Sequence, residues 1–298
     1  MTMKPIKINP VFKEAIWGGN WLKNKFGLDS GMPHQAEAWE LTVREDGLND
    51  TECGCPLTEF DTAAKIEDFP LLIKYIDAGD KLSIQVHPAK TEFWYIVDCD
   101  PGAWLIYGQN ADYTEAELRQ ALADGKLEGC LHKQPVRPGE CYFIPTGLTH
   151  AIGGGILIAE IQENSNITYR VYDYDRPGID GKPRQLHTDQ AFKVMKKFSH
   201  EELQELRFSV PYSVPDNLKD TSECIASCDK FTVVRHILRE KTTLSAAERF
   251  SHLMVIGGSG KIAGIDVRGG DSVYVPADTG DYDIVPDGEI TILESFKL

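Results

Sequence analysis

Two short segments in the first half of the chain contain residues that could bind a metal ion. The first segment offers an amide, an imidazole and a carboxylate at Gln85, His87 and Glu92, and the second offers an imidazole at His150. Because side chains alternate along a strand, Gln85 and His87 would point to the same face and could reach one ion. This mixed nitrogen and oxygen set suits zinc best. Manganese and iron are alternatives, since no thiolate is present to select a softer metal.

The sequence around these residues is typical of β-structure. From Phe69 onward, short runs rich in β-branched and aromatic residues recur between Gly, Pro, Asp and Asn, which predicts an antiparallel sandwich or barrel. Two helices interrupt this pattern. One begins at a capping box formed by Thr114 and Glu117 and stops at Gly125, and the other is expected over residues 189–198. The predicted fold class is therefore all-β with a few helices.

An internal repeat predicts that the second half is a copy of the first without its metal site. Residues 139–145 and 270–276 share the form G-x5-P, but only the first copy is followed by a histidine. The second half contains His236 and His252, and neither has a carboxylate at ligand spacing. We expect a metal-binding domain, a proline-containing linker and a degenerate second domain, with the bounds 1–208, 209–225 and 226–298.

Composition limits the partners of the chain. Its residues are 42% hydrophobic and 26% charged, a composition that can form a sizeable core. Its length of 298 residues is too great for one small domain. A formal net charge of −15 argues against nucleic acid and anionic membranes as partners. No apolar run predicts a membrane span or a signal peptide, so we expect a cytoplasmic protein. Its seven cysteines are odd in number and scattered, which favours free thiols, and the oligomeric state is not predicted.

The spacing of the four candidate ligands resembles the two cupin motifs, with Gln85 where the first motif usually has histidine. Cupins are double-sheet jelly rolls that hold a metal ion inside the barrel. Over most of its length the chain also resembles the type I mannose-6-phosphate isomerases of the short bacterial form. The segments that carry this resemblance are NPVFKEAIWGGNWL, AEAWEL, FPLLIKYIDAGDKLSIQVHP, KTEFWYIVD and PTGLTHAIGGGILIAEIQENSNITYRVYDYDR.

This resemblance implies an activity. The family binds one zinc ion and interconverts mannose 6-phosphate and fructose 6-phosphate. The chain would then be an aldose–ketose isomerase that acts on a hexose phosphate, with zinc on the four candidate ligands and Arg170 as the active-site arginine. Two other functions compete with this one. A metal-cupin dioxygenase would need a histidine-rich iron site and an uncharged pocket, and a sugar-binding cupin module would need a DNA-binding or effector segment for which the chain has no room.

The isomerisation requires a base, an electrophile and a phosphate anchor. Glu160 is the candidate base because the apolar strand ILIAEIQ would desolvate its carboxylate and raise its pKa. The alternative is that Glu160 is a structural partner of Lys74 or Arg170. Alternation is expected to place Thr168, Arg170 and Tyr172 on one polar strand face. The candidate catalytic residues are Arg170, Glu160 and Lys90, and the candidate substrate contacts are Ser83, Lys74 and Arg176, with weaker signals at Glu37 and Glu40.

Overall fold

The computed structural model describes residues 3–64, 69–209 and 220–297, and within these ranges the chain is mostly β-structure, as the sequence predicts. The strands are β1 (Ile6–Asn9), β2 (Val11–Glu14), β3 (Gln35–Leu41), β4 (Asp50–Thr51), β5 (Leu71–Ala78), β6 (Ile84–Val86), β7 (Glu92–Cys99), β8 (Trp104–Gln109), β9 (Leu131–Pro135), β10 (Glu140–Ile144), β11 (His150–Ile152), β12 (Ile156–Glu163), β13 (Tyr169–Tyr172), β14 (Arg207–Ser209), β15 (Thr221–Ser227), β16 (Thr232–Leu238), β17 (Thr242–Ala246), β18 (Ser251–Ile262), β19 (Ile265–Arg268), β20 (Ser272–Val275) and β21 (Gly280–Phe296). The helices are α1 (Leu57–Phe60), α2 (Glu115–Ala123), α3 (Thr188–Val194) and α4 (His200–Glu205), with a π-helical turn (Leu22–Phe26) and a 3₁₀ turn (Leu127–Cys130).

A seven-stranded antiparallel sheet lies at the centre of the molecule, and we call it the central sheet. Its strand order is β14-β10-β7-β12-β5-β3-β2. All eight residues of β5 are buried, which explains why its sequence LLIKYIDA is almost continuously apolar. Ile73 and Tyr75 contribute to one hydrophobic core, whereas Ile76, on the other face, contributes to a second core. Both faces of this sheet are therefore covered.

The first sandwich forms where a five-stranded sheet, the short sheet, packs on one face of the central sheet. The order of the short sheet is β13-β6-β11-β8-β9. Apolar side chains fill the space between the two sheets, among them Trp94 and Ile158 from the central sheet and Leu105 and Ile152 from the short sheet. Polar residues occupy the remainder of this interior and line a cavity. The candidate metal ligands all lie in this sandwich.

A nine-stranded sheet packs on the opposite face of the central sheet. Its main path is β15-β16-β21-β18-β20-β1-β4, with β17 paired to β21 and β19 paired to β18. Two strands from the start of the chain complete its edge, because Ile6 of β1 pairs with Tyr274. Part of the predicted linker, residues 210–219, lies outside the described residues, and β15 begins at Thr221 within the predicted span. The domain division stays a prediction.

The helix signals in the sequence are accurate at the first helix and less so at the second. The capping box at the start of α2 is confirmed, since Glu117 N donates to Thr114 Oγ1 at 3.2 Å and Thr114 N donates to Glu117 Oε2 at 2.7 Å. The second predicted helix ends early, at Val194, because Met195 is extended and Ser199 caps a new helix, α4. No helix in the described ranges is long and apolar enough to cross a membrane.

Candidate metal centre and its cavity

Three of the four candidate ligands meet inside the first sandwich. His87 directly follows β6, Glu92 begins β7 and His150 begins β11, so two sheets supply the groups. One potential ligand atom from each residue lies within 4.8 Å of the others. The side chains are almost fully buried, and the whole residues are 2%, 1% and 0% exposed. The fold thus brings residues that are up to 63 positions apart in the sequence into one interior cluster.

The two imidazoles present their Nε2 atoms to this cluster. His87 Nδ1 lies 3.0 Å from the Ile167 carbonyl oxygen, and His150 Nδ1 lies 2.9 Å from the Leu148 carbonyl oxygen. Because a carbonyl only accepts, each Nδ1 carries the proton and each Nε2 keeps its lone pair. Burial lowers the pKa of both histidines, that of His150 to about 3, so both rings are neutral. Neutral imidazoles oriented by backbone carbonyls are the form that binds metals.

The cluster also contains buried polar atoms that lack a partner. In the described part of the chain, both Nε2 atoms and Glu92 Oε2 have no hydrogen-bond partner, although His87 Nε2 lies 3.1 Å from Glu92 Oε1. Leaving such atoms buried and unsatisfied is costly, and a bound cation would satisfy all three. The donor set of two imidazole nitrogens and a carboxylate oxygen fits zinc.

Glu92 is held in its charged form. Burial alone would raise its pKa, but the positive charge of the adjacent Lys90 ammonium outweighs this effect and holds the pKa well below its usual range. The Lys90 ammonium contacts Glu92 Oε1 and donates to Gln162 Oε1 at 3.1 Å. Glu92 therefore keeps one oxygen on Lys90 and has the other available for an ion.

Gln85 lies beside the three clustered groups. In the short sheet it is the direct cross-strand neighbour of His150 on one side and of Arg170 on the other. Side chains directly opposite each other in a sheet share a face. Gln85 lines the same cavity as the cluster, so an amide oxygen is available next to it.

The cluster lies at one side of a cavity of about 330 Å³. The cavity wall is mostly polar, and it includes six of the eight other residues that the sequence analysis proposed, all except Arg176 and Glu40. The polar lining residues other than the candidate ligands Gln85, His87 and Glu92 are Glu37, Lys74, Ser83, Lys90, Glu160, Asn166, Thr168, Arg170, Arg184 and His187. Sequence reasoning missed Arg184 and His187, which lie outside any regular strand pattern.

One wall of the cavity carries a buried acid–base group. Lys74 Nζ lies 3.2 Å from Glu160 Oε1 and 3.4 Å from Glu37 Oε2. Trp94 Nε1 donates to Glu160 Oε2 at 2.8 Å. Burial, together with the charge of Glu92, raises the pKa of Glu160 to about 7 despite the nearby lysine. Glu160 is thus a partner of Lys74, as the structural alternative held, and its pKa also suits it to exchange protons near neutral pH.

Another wall carries two guanidinium groups. Arg170 Nε donates to Ser83 Oγ at 3.3 Å, and its Nη1 donates to the Gln185 carbonyl at 2.7 Å. Arg184 is held by two 2.7 Å hydrogen bonds to the carboxylate of Asp173. Burial and the positive charge of Arg184 lower the pKa of Arg170, which shows that the two cations influence each other. This part of the cavity favours an anion.

Three expected residues do not line the cavity. Arg176 is turned away and donates to Asp173 at 3.1 Å and to Asp80 at 3.0 Å. Tyr172 is absent from the lining because a register shift after Arg170 interrupts the strand alternation. Glu40 is fully buried elsewhere, since a register shift between Trp39 and Leu41 separates it from Glu37.

The second half also contains a histidine next to a carboxylate, which the sequence spacing did not indicate. His236 Nε2 lies 3.1 Å from Glu294 Oε2, because β16 and β21 are paired. The expectation that the second half lacks a metal site stays a prediction. No cluster other than His87, Glu92 and His150 groups three potential ligand residues within the described ranges.

Comparison with known proteins identifies the family. The chain is 35% identical to the mannose-6-phosphate isomerase ManA of Bacillus subtilis, over an alignment that covers 100% of this chain and 96% of the relative. The chain belongs to the mannose-6-phosphate isomerase family. It is 39% identical to the mannose-6-phosphate isomerase of Streptococcus mutans over 64% of this chain and 68% of that protein.

The fold agrees with this family membership. The crystal structure of the Bacillus subtilis mannose 6-phosphate isomerase superimposes with a TM-score of 0.84 and 30% identity, covering 98% of this chain and 99% of that one. No family model matches the chain. The predictions of an all-β fold class and of an isomerase acting on sugar phosphates are confirmed.

Proposed function

We propose that the chain interconverts mannose 6-phosphate and fructose 6-phosphate through an enediol, with one zinc ion held by Gln85, His87, Glu92 and His150. The observation that carries this proposal is the group of buried ligand atoms without partners at the edge of a cavity with a basic wall. When bound, zinc would polarise or orient the oxygens of the substrate without changing its oxidation state. With one anionic ligand, the centre would keep a net positive charge that favours a developing enediolate.

Glu160 is the proposed base that moves the carbon-bound proton. Its pKa of about 7 lets it accept a proton from one carbon and return it to the neighbouring carbon at neutral pH. Trp94 fixes one carboxylate oxygen by its indole N–H, so the oxygen near Lys74 is the one that would exchange the proton. Lys74 limits the rise in the pKa of Glu160 and is a positioning residue in this account, rather than a phosphate contact.

Lys90 is proposed to act on the oxygens of the substrate. Its ammonium is buried beside Glu92 and lines the cavity, so it can donate a proton or a hydrogen bond to an oxygen that gains charge in the enediolate. A buried cation at this position costs no reorganisation when the charge develops. Lys90 would act in addition to the metal ion, which is the proposed electrophile.

The phosphate group is proposed to lie against Arg170, with Ser83 and Arg184 beside it. Two guanidinium groups repel each other because both are positively charged, and a dianion that lies between them stabilises both. Arg184 takes the role that the sequence assigned to Arg176, because Asp173 holds both residues and only Arg184 lines the cavity. The sugar then extends from the basic wall toward Glu160 and the metal centre.

Two rival functions have weaker support. A dioxygenase would act on a substrate in an uncharged pocket, whereas this cavity is lined by several charged side chains. A sugar-binding module would have no need for a carboxyl group with a pKa near neutrality in the same cavity as a cluster of potential metal ligands. Assignment to the cupin superfamily, the division into two domains and the cytoplasmic location stay predictions of the sequence.

A single assay separates these functions. Purified protein is supplied with mannose 6-phosphate, and formation of fructose 6-phosphate is followed with and without prior chelation, then after addition of zinc, manganese or iron. We expect turnover that chelation abolishes and zinc restores. Restoration by iron alone with uptake of oxygen would support the dioxygenase, and binding of the sugar phosphate without turnover in any arm would support the binding module.

A further inference from the structure

The turn between β4 and α1, next to the edge of the nine-stranded sheet, brings two thiols into contact. Cys53 Sγ and Cys55 Sγ lie 3.1 Å apart. Cys53 is exposed and Cys55 is partly exposed, so a small reagent can reach the first sulfur. The other exposed thiol, Cys224, donates instead to the Ala226 carbonyl oxygen at 3.5 Å. Because neither residue of the turn belongs to the cavity wall, this pair is independent of the proposed isomerase chemistry.

The backbone already holds the two cysteines on the same side of the turn. Thr51 N donates to the Cys55 carbonyl oxygen at 2.9 Å, and Gly54 N donates to the Thr51 carbonyl oxygen at 2.9 Å. Gly54 has a φ of 81°, a left-handed conformation that glycine adopts without strain. Two cysteines separated by one residue need such a reversal to bring their sulfurs together, and here the reversal is present before any bond forms.

The two thiols differ in their surroundings. The Thr51 hydroxyl lies 2.9 Å from Cys53 Sγ and 3.3 Å from Cys55 Sγ. Hydrogen bonds from Thr51 and then from Cys55 lower the pKa of Cys53. The pKa of Cys55 is raised, because its neighbour Cys53 outweighs the opposing effect of Thr51. Cys53 is therefore the better nucleophile of the pair, since the thiolate is the reactive form.

We propose that Cys53 and Cys55 are a reversible dithiol–disulfide site that exchanges with low-molecular-weight disulfides. Cys53 thiolate attacks one sulfur of the small disulfide, a new sulfur–sulfur bond forms, and one small thiolate leaves. Cys55 then loses its proton and attacks the Cys53 sulfur, which breaks the mixed disulfide and releases the second small thiolate. The pair gives up two electrons, the small disulfide gains them, and the two protons of the pair end on the two small thiols.

The position of the pair favours a reversible modification over a structural disulfide. An exposed bridge between cysteines separated by one residue constrains only a short segment, so it adds little stability and is readily reduced. Thr51 lies in β4, whose pairing with Ile8 forms the edge of the nine-stranded sheet. The oxidised and reduced proteins should therefore share the same cavity and the same isomerase activity.

The test uses the full-length protein, reduced and then exposed to excess oxidised glutathione. Intact mass and alkylation of the remaining thiols are measured, followed by peptide mapping without reductant. We expect wild type to lose two hydrogens and two alkylatable thiols, with the link between Cys53 and Cys55. Cys55→Ser should instead accumulate one glutathione on Cys53, because no second thiol then contacts this sulfur to displace it. The control Cys224→Ser should behave as wild type.

Several results would overturn this proposal. One is a stable glutathione adduct on Cys53 in wild type, which would show that Cys55 does not resolve it. Another is a disulfide that joins either residue to a different cysteine. A third is a Cys55→Ser variant that circular dichroism shows to be folded and that takes up no glutathione on Cys53. None of these results depends on isomerase activity, so they leave the proposed function unaffected.

Discussion

Both halves of the chain bury a histidine against a glutamate, and the two sites differ in what their remaining polar atoms contact. In the second half, His236 Nδ1 lies 2.8 Å from Ser222 Oγ, and the second oxygen of Glu294 accepts from Ser251 Oγ at 2.6 Å. In the first half, both histidine Nε2 atoms and one oxygen of Glu92 have no hydrogen-bond partner among the described residues. The proposed function therefore requires more of a metal site than a buried histidine–glutamate contact. Convergent atoms without partners are the distinguishing feature.

The repeated turn explains where this difference arises. Five residues after Pro145 the first copy places His150, fully buried, at the start of β11. Five residues after Pro276 the second copy places Asp281, which is exposed on β21. The strand ends in the same way in both copies, but only the first directs a ligand into the interior. The second half has the same strand and turn without this donor.

The largest effect on activity is expected for substitution of Glu160, the buried glutamate of the cavity, and no effect is expected for Glu294, the buried glutamate of the second half. Glu160→Gln should lower kcat/KM by about a hundredfold to a thousandfold, because the proposed base is removed while its shape is kept. A base acts in its deprotonated form, so wild-type activity should rise with pH through about 7, the pKa of Glu160, and this rise should vanish in the variant. Glu294→Gln should retain wild-type kcat/KM. Persistence of the rise in Glu160→Gln would show that another group is the base.

The next largest effect on activity is expected at the basic wall of the cavity, which Arg170 and Arg184 form. Arg170→Ala should lower kcat/KM at least about a hundredfold, since a charge-assisted contact in a cavity with little water is worth a few kcal/mol. Metal content, measured by elemental analysis, should stay unchanged because Arg170 contacts Ser83 and Gln185 rather than the cluster. A variant with near wild-type turnover, or one that has lost its metal, would show that the residue is assigned wrongly.

A smaller effect distinguishes the two arginines that Asp173 holds. Arg184→Ala should raise KM for the sugar phosphate about tenfold, the loss of one charge-assisted contact, and should weaken inhibition by inorganic phosphate in parallel. Arg176→Ala removes the matched guanidinium outside the cavity and should change KM little. Equal effects of the two substitutions would indicate that both arginines act only through the stability of the Asp173 turn.

The sequence predicted most of the residues that the structure brings together at the candidate site, because strand alternation and ligand spacing are local properties. It grouped Gln85, His87, Glu92 and His150, and these residues do lie together. It also expected Tyr172 and Arg176 at the cavity, which neither residue lines. A register shift and a choice between two arginines around one carboxylate depend on tertiary contacts. The alternation of polar and apolar residues along the sequence does not reveal such contacts.

The same limit applies to contacts between distant strands. His236 and Glu294 are 58 residues apart in the sequence. The short strand β1, at the start of the chain, pairs with β20 of the second half. Pairing between strands so far apart is set by packing of the complete fold, which local propensity does not encode. The mostly β class was predictable, and the strand order was not.

The smallest effect on activity is expected where the two halves meet. Glu40 is fully buried there, and His252 Nε2 lies 3.2 Å from its carbonyl oxygen. Burial raises the pKa of Glu40 to about 8. The folded state then holds a proton that the unfolded state releases above about pH 4.5, so the free energy of unfolding should fall by about 1.4 kcal/mol per pH unit up to about pH 8.

Glu40→Gln isolates this contribution. The difference in unfolding free energy between wild type and variant, measured by urea denaturation, should change with pH over that window and level off above it. Activity should be unchanged, because Glu40 does not line the cavity. A difference that is constant with pH would contradict the assignment of this buried proton to Glu40.

The central claim is that unpartnered ligand atoms, rather than a buried histidine–glutamate contact, make the metal centre. Elemental analysis of three purified proteins tests it most directly: wild type, His150→Ala and His236→Ala, each shown to be folded by circular dichroism. We predict one zinc per chain in wild type and in His236→Ala, and less than about a tenth of that in His150→Ala, since each missing ligand weakens binding strongly. Full zinc content in His150→Ala, or loss of zinc in a folded His236→Ala, would contradict the account.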